Sequence, residues 1–425
     1  MQDPPVPTER RIYRSGGRGP SRRQRRRRLL MLAVGLLATL LALWGLVSVV
    51  SGEGDDGAPH TAAKPGASAS PKPSVTPSPS PLATSWTGPP SSELRLKLRD
   101  TIYSASISPK SVVSTGTGYV FAQNMMYRHT MTVYDARTLR LVKTIKDSID
   151  AAKFRIRGHQ GTLQGAPVEA AVTPDGRFMF VSQYSTYGGG FYRQGDDVGS
   201  PASGYDKSYI YRVGLDDLTI DKVIRVGSVP KYVAVTPDQD YVLVSNWTSY
   251  SLSVVDPHRS RQVREVPIGP YPRGIAVDPD SRYAYVAVMG SSDVARVDLQ
   301  SFAVSWIRGV GAGPRHLCMA PSGKYLYVTC NAAGSVVKVD LETHRVKDRV
   351  VTGSQPRSMA IAPDGRSLYV VNYDSNTMSK VRTSDMTVLQ VVQTNPRPIG
   401  VTHDLGTKSV WVCCYTGSIM VFRER

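Results

Sequence analysis

The chain has 425 residues, which allows one large domain with additional segments, and its formal net charge is +18. Residues 1–28 hold ten arginines against Asp3 and Glu9, so almost half of the excess lies in a short tail, and this argues against a nucleic-acid partner for the rest. Four cysteines are too few for a fold that depends on disulfide bonds.

The first 50 residues predict a membrane anchor. Residues 1–28 are polar and rich in arginine, which predicts a disordered tail. Residues 29–50, LLMLAVGLLATLLALWGLVSVV, carry no charge, and as a helix they would span about 33 Å, enough for a bilayer core. The arginines before this segment predict a cytoplasmic N-terminus and an outward-facing C-terminal part. A cleaved signal peptide is the alternative, although no clear cleavage site follows Val50.

Residues 51–92 are rich in proline, serine, threonine and alanine. This composition provides too few large apolar side chains for a packed core. We therefore expect a disordered, semi-extended linker that holds the following domain away from the membrane surface.

A 42-residue repeat organises residues 93–425. Copies begin at equal spacing at Pro230, Pro272, Pro314, Pro356 and Pro398, and two earlier copies with extra residues begin at Pro167 and near Pro109. Each complete copy contains four short segments rich in β-forming residues, with tight turns such as Pro321-Ser322-Gly323-Lys324. Four strands in a repeat of this length are typical of one propeller blade, whose strands we letter A to D from the central axis outwards.

The last copy provides only three strands, at residues 399–404, 409–414 and 418–423. Residues 93–102 alternate between polar and apolar side chains, so they can provide the missing strand D. A ring closed in this way leaves no exposed strand edge. The sequence therefore predicts an all-β, seven-bladed β-propeller of four-stranded antiparallel blades, closed by an N-terminal strand in the last blade.

The repeats resemble the YVTN β-propeller family over residues 93–425. The motifs that carry the resemblance are PRSMAIAPDG from Pro356, LYVVN from Leu368 and VLVSN from Val242. The resemblance implies a propeller fold. It does not imply one function, because similar propellers include lactonases, surface-layer-type proteins, subunits of redox enzymes and proteins without a known activity.

Two insertions interrupt the repeat on one side of the predicted ring. Residues 149–166 lengthen a D–A connection, and residues 184–207 lengthen a B–C loop. D–A and B–C connections emerge on the same face of a propeller. Because binding residues are commonly found on loops held by a rigid scaffold, we expect ligand binding on this face.

A cation follows the repeat proline in five of the seven blades, at Lys110, Lys231, Arg273, Arg315 and Arg357. This position begins the innermost strand, so the cations predict a funnel that binds an anion, with His316 and Arg397 beside it. The alternative is that these side chains point outwards or pair with Glu169, Asp278 or Asp404.

Aromatic side chains add a second candidate surface. The longer insertion holds Tyr184, Tyr187 and Tyr192, and the next B–C loop begins beside Asn246 and Trp247. Such side chains suit sugars and protein partners. The alternative is that the insertion folds over its own aromatic side chains.

We therefore expect a membrane-anchored, extracytoplasmic module that binds an anionic small molecule, a cell-wall glycan or a protein on the face formed by the B–C and D–A loops. The sequence contains no recognisable catalytic, metal-binding or cofactor motif, so we predict binding without catalysis and no cofactor. The alternative is a lactonase-like hydrolase of a sugar-acid lactone that uses the cationic funnel.

Overall fold

The computed structural model of the chain describes residues 85–425. The predicted tail (1–28), the predicted membrane segment (29–50) and most of the predicted linker (51–92) lie outside the described residues. Between residues 85 and 425, no helix is both long and apolar enough to cross a bilayer.

The described residues form seven four-stranded antiparallel sheets, which confirms the predicted seven-bladed propeller. Strand β1 (Leu96–Tyr103) precedes blade 1, which contains β2 (Ser111–Ser114), β3 (Tyr119–Asn124), β4 (Thr130–Asp135) and β5 (Leu141–Lys146). The hairpin that follows contains β6 (Ser148–Asp150) and β7 (Thr162–Gln164). Blade 2 contains β8 (Pro167–Val172), β9 (Phe178–Gln183), β10 (Tyr209–Gly214) and β11 (Thr219–Arg225).

The next three blades follow the 42-residue repeat. Blade 3 contains β12 (Pro230–Val235), β13 (Val242–Asn246), β14 (Ser251–Asp256) and β15 (Arg261–Pro267). Blade 4 contains β16 (Pro272–Val277), β17 (Tyr283–Val288), β18 (Asp293–Asp298) and β19 (Val304–Ile307). Blade 5 contains β20 (Pro314–Met319), β21 (Tyr325–Cys330), β22 (Ser335–Asp340) and β23 (Arg345–Val351).

The last two blades complete the ring. Blade 6 contains β24 (Pro356–Ile361), β25 (Ser367–Asn372), β26 (Thr377–Arg382) and β27 (Val388–Gln393). Blade 7 contains β28 (Pro398–Asp404), β29 (Ser409–Cys414) and β30 (Ser418–Glu424). Its fourth strand is β1, which pairs with β30 from Leu96 opposite Glu424 to Tyr103 opposite Ser418, so the predicted closure is confirmed. The strand begins three residues later than predicted, because Ser91–Glu93 form a short 3-10 helix.

A buried ionic cluster stabilises the ring closure. Lys380 on β26 contacts the Glu424 carboxylate at 2.6 Å and donates to the Leu94 carbonyl at 2.8 Å. His403 and the Tyr369 hydroxyl contact the same carboxylate at 3.1 and 2.5 Å. Burial alone would raise the pKa of Glu424, but the bonds from His403 and Lys380 outweigh it and lower the pKa. The cluster therefore links both ends of the described chain to blade 6.

The two insertions meet on one side of the ring. The hairpin of β6 and β7 forms within the first insertion, and Gln164 at its end pairs with Tyr187 of the second insertion. His129 also contacts Tyr187 edge-to-face, with the ring centres 5.6 Å apart. The insertions are therefore packed onto each other and onto blade 1.

An asparagine at the end of strand B forms hydrogen bonds both within its own blade and with the D–A connection that precedes the blade. Asn246 accepts a bond from the Gly227 amide at 3.1 Å and donates to Ser251 and Ser253 at 3.1 and 2.8 Å. Its side chain is fully buried. The polar atoms of Asn246 therefore have partners inside the protein, and its predicted role in ligand binding stays a prediction.

Blade 2 lacks this arrangement. Gln183 takes the asparagine position, and neither polar atom of its amide has a hydrogen-bond partner among the described residues. The buried Tyr211 hydroxyl has no partner within residues 85–425, and the buried Asp147 carboxyl has the Gln183 amide beside it, which partly opposes the effect of burial on its pKa. Burial raises the pKa of Asp147 well above its usual value. Unpaired buried polar atoms therefore occur at this position of blade 2, and blade 6 has one as well, at the Asn372 carbonyl oxygen.

Candidate functional site

The backbone turns the predicted cations towards the axis. In blades 3, 5 and 6 the pairing of strand A with strand B skips the residue after the repeat proline, which is a β-bulge at Lys231, Arg315 and Arg357. In blade 4 the bulge comprises Arg273 and Gly274. Since a bulge redirects the side chain of the extra residue, it accounts for the inward position of the cations.

The residue before the repeat proline has a left-handed backbone in several blades. The φ angles are +54° at Val229, +58° at Tyr271, +52° at Gln355 and +59° at Arg397. This conformation is costly for residues other than glycine, and blade 5 has Gly313 there with a φ of +63°. The D–A connection therefore reaches the axis through a sharp turn that immediately precedes each bulge.

The five predicted cations line one cavity. Lys110, Lys231, Arg273, Arg315 and Arg357 surround a space of about 170 Å³ together with Asp197, Trp247, Met289 and Asn331. Trp247, Met289 and Asn331 follow strand B in their blades, and Asp197 belongs to the second insertion. The cavity mouth is therefore on the predicted face.

Two of the five cations are paired with carboxylates. Lys231 contacts Asp197, and Arg273 contacts Glu169 at 3.4 Å. The alternative pairing predicted for Glu169 therefore occurs. Asp278 instead accepts hydrogen bonds from the backbone amides of Arg282 and Tyr283. Asp404 accepts hydrogen bonds from the hydroxyl groups of Ser114 and Thr407.

Arg315 is a buried cation without a hydrogen bond. Its exposed fraction is 5%, and among residues 85–425 no group accepts a hydrogen bond from its Nε atom. Arg357 is better satisfied, because it donates to Gln355 at 3.0 Å and lies 3.5 Å from the centre of the Tyr373 ring. Arg315 therefore offers donors to a ligand.

The pKa values of the cavity cations show that burying these charges close together is energetically unfavourable. Burial and the neighbouring arginines lower the pKa of Lys110 well below its usual value. Burial lowers the pKa of Lys231 to about 8, although Asp197 opposes the shift. The pKa of Arg315 is also lowered, first by burial and then by Arg273 and Arg357. An anion in the cavity would reduce the repulsion that produces these shifts.

The aromatic candidates divide into two groups. The Lys231 ammonium lies 4.3 Å from the Tyr184 ring centre and 5.2 Å from the Trp247 ring, so both side chains belong to the cavity region. Tyr187 packs against His129, and Tyr192 is 84% exposed. Neither of these two tyrosines lines the cavity.

Two further candidates lie beside the cavity rather than in its wall. His316 contacts the Tyr232 ring at 5.3 Å, and burial lowers its pKa to about 3, so the imidazole is neutral. Arg397 is exposed, and its guanidinium lies 5.9 Å from the centre of the Tyr373 ring.

The sequence did not identify Asp197 as a residue of the site. Burial alone would raise its pKa, but the charge and hydrogen bond of Lys231 lower it to about 2, so the carboxylate is ionised. The adjacent Asp196 and Asp197 lie in an insertion next to a predicted cationic funnel, and this charge complementarity was the available signal.

A larger groove lies at the outer surface. It has a volume of about 620 Å³ between the first insertion and the outer strands of blades 2 and 3, and Arg155, Arg157, Arg225 and Arg261 are among its lining residues. These arginines are solvent-exposed, so water already stabilises their charges. The smaller central cavity is the stronger candidate because three of its five cations, Lys231, Arg273 and Arg315, are buried.

Comparisons with known proteins agree with the fold. Residues 210–366 match the model of the family described as YNCE-like beta-propeller. The chain is similar to these propellers over that stretch. A solved structure described as "Kuenenia stuttgartiensis Hydrazine Synthase" is 18% identical, with a TM-score of 0.60, and the similarity covers 76% of this chain and 97% of that chain. Identity at this level shows the fold alone. No curated protein matches the sequence.

Proposed function

We propose that the chain is a membrane-anchored, extracytoplasmic binding module whose central cavity takes a small anionic molecule. The observation that carries this proposal is the Arg315 guanidinium, which is buried among other cations without a hydrogen-bond acceptor from residues 85–425. A buried charge without a partner is costly, and a bound anion would remove much of that cost.

The cavity limits the size of the ligand. Its volume of about 170 Å³ corresponds to about six water molecules at liquid density. This space suits a small dicarboxylate, a phosphate group or the acidic end of a sugar acid. A larger glycan would place only its acidic group in the cavity.

The cavity carboxylates do not favour the lactonase-like alternative. A hydrolase needs a group that accepts a proton from water. The Asp197 carboxylate contacts Lys231 and has a pKa of about 2, which makes it a weak base. Glu169 is the stronger base, because burial raises its pKa, but it contacts Arg273 at 3.4 Å and does not line the cavity. These pairings support binding rather than catalysis.

Binding to the purified full chain tests the proposal. We expect isothermal titration to detect binding of glucuronate, succinate or inorganic phosphate, and Arg315→Met to weaken it by about tenfold or more. Arg345→Met is the matched control, because Arg345 is exposed on the outer strand of the same blade. If none of these anions binds, or if the two variants behave alike, the proposal is wrong.

A glycan or protein partner would contact the rim of the same face. Tyr127, Tyr192 and Val198 are 85%, 84% and 81% exposed, and all three lie in B–C loops. Exposed aromatic side chains on a binding face support contacts with sugars or proteins. The proposed anchor and linker would present this face outside the cytoplasmic membrane.

A further inference from the structure

The second insertion places a carboxylate inside the cationic cavity. Asp197 contacts the Lys231 ammonium and accepts a hydrogen bond from the Tyr184 hydroxyl at 3.1 Å. The Lys231 side chain is 6% exposed, whereas the Asp197 side chain is 68% exposed. The cation therefore belongs to the buried wall, and its partner reaches it from the solvent side.

The loop that carries Asp197 is held in shape by bonds within it and contacts the cavity wall through side chains of blades 2 and 3. The Asp196 carboxylate accepts hydrogen bonds from the amides of Val198 and Gly199 at 3.0 and 2.7 Å. Contacts with blade 3 include Trp247 donating to the Asp197 carbonyl at 3.1 Å, and Tyr271 of the next connection donates to the Val198 carbonyl at 3.3 Å. The bonds within the turn are separate from the contacts with the wall, so the turn itself does not depend on those contacts.

The cavity has two cationic regions that differ in their partners. Lys231 lies beside Tyr184 and Trp247 and is neutralised by Asp197. Arg315 lies with Lys110 and Arg357, and among residues 85–425 no carboxylate forms a salt bridge with any of these three. One region therefore has a carboxylate in direct contact, whereas the other is reached only by the charge of Glu169, which contacts Arg273 and lies beyond salt-bridge distance of Arg315 and Lys110.

We propose that Asp197 occupies the position of one anionic group of the ligand, so that the ligand is a small dianion that displaces the Asp197 loop. This inference rests on the proposed anion-binding function and specifies its ligand class. One group of the dianion binds Arg315 and its neighbours, and the other replaces the Asp197 carboxylate at Lys231. A monoanion binds Arg315 and leaves Asp197 in place.

The low pKa of Lys231 indicates that a ligand anion must replace Asp197 when the Asp197 carboxylate leaves Lys231. Burial lowers that pKa to about 8 even with Asp197 present. If the loop left without a replacement, the buried ammonium would lose its counter-charge and a hydrogen bond. Departure of Asp197 is therefore favourable only when another anion takes its place.

A series of dicarboxylates tests the inference on the full chain. We expect an optimum of affinity at one chain length among malonate, succinate, glutarate and adipate, and succinate to bind about tenfold more tightly than butyrate. Asp197→Asn removes the competing carboxylate, so it should raise the affinity for the best dicarboxylate about fivefold or more. It should change the affinity for the monoanion butyrate much less.

Asp374→Asn is the matched control. Asp374 is exposed on the same face and near Arg357, but it makes no contact with Lys231. Equal effects of Asp197→Asn and Asp374→Asn on dicarboxylate affinity would show general electrostatics and would overturn the displacement.

Hydrogen exchange distinguishes displacement from closure. Ligands usually protect the loops that they contact, whereas displacement predicts faster amide exchange in residues 193–206 when the best dicarboxylate binds. Protection of this loop, with binding that still depends on Arg315, would overturn the inference and leave the proposed function in place. Absence of anion binding by both the natural chain and Asp197→Asn would overturn both.

Discussion

At the scale of single residues, Asp147 occupies a position that other blades fill differently. Its amide donates to the carbonyl of the residue before strand C, and the same bond is made by Val226, Ile268, Val310, Thr352 and Thr394. Three of these residues are buried apolar side chains. Asp147 is therefore a buried carboxyl group at a position that other blades occupy with a valine or an isoleucine.

Replacement of Asp147 should change how stability depends on pH. A carboxyl whose pKa is raised by folding stabilises the fold most below about pH 4, and this contribution is lost as the pH rises through the folded pKa. We expect Asp147→Asn to be more stable than the natural chain by about 1–3 kcal/mol at pH 8. The difference should disappear below about pH 4.

Thermal unfolding at several pH values measures this effect. Asp216→Asn is the control, because it removes the same charge from an exposed turn of blade 2. A variant that is less stable than the natural chain at pH 8 would mean that the Asp147 carboxylate has a partner after all.

The sequence indicated the five cavity-lining cations and Trp247 but not Asp197. Their recurrence after the repeat proline placed them near the axis, and the structure brings all five into one wall. Asn246 was predicted at the site because it precedes a B–C loop, yet strand alternation turns it into the blade. The position of Asp197 depends on the path of an insertion without repeats, which periodicity cannot determine.

At the scale of elements, β1 and β30 depend on a buried ion pair. The side chains of Lys380 and Glu424 both have an exposed fraction of 0%. Removal of one partner leaves the other charge buried, so we expect Lys380→Met to destabilise the fold by about 3–5 kcal/mol. Urea unfolding followed by circular dichroism would measure the loss.

The double variant Lys380→Met/Glu424→Leu tests the cause. With both charges removed, we expect at least half of the lost stability to return, because apolar side chains can replace a buried pair. If the double variant is as unstable as the sum of the two single variants, the pair is not coupled.

The turn before each strand A predicts a stabilising substitution. Arg397 is exposed and has a φ of +59°, whereas the equivalent residue in blade 5 is Gly313. Arg397→Gly should therefore stabilise the fold by about 1 kcal/mol, since glycine adopts this backbone conformation without steric cost. Thermal unfolding that shows a loss of stability would mean that the Tyr373 contact outweighs the backbone strain.

Strand positions followed from the repeat, whereas the local backbone did not. Predicted starts at Pro167, Pro230, Pro272, Pro314, Pro356 and Pro398 coincide with the first residues of strands A in blades 2 to 7. The bulges and left-handed residues could not be predicted, because valine, tyrosine, glutamine and arginine before a proline ordinarily favour extended backbone.

At the scale of the whole molecule, the proposed topology predicts protease access from outside. Proteinase K added to intact cells should cleave the chain between residues 51 and 84 and release the propeller. The propeller itself should resist cleavage longer, because its backbone is paired in sheets. Full protection of the chain in intact cells, with cleavage after permeabilisation, would contradict the proposed orientation.

The pairing of β1 with β30 also has a consequence for the order of folding. Leu96 is translated more than 300 residues before Glu424, which lies opposite it. The early strand must therefore remain unpaired while six blades are made, and the ring can close only when synthesis reaches blade 7. Such a distant contact makes closure a late and slow step, during which the open edges are exposed to aggregation. A pause in translation or export before residue 418 would thus leave the propeller open between β1 and blade 7, where unpaired strand edges can aggregate.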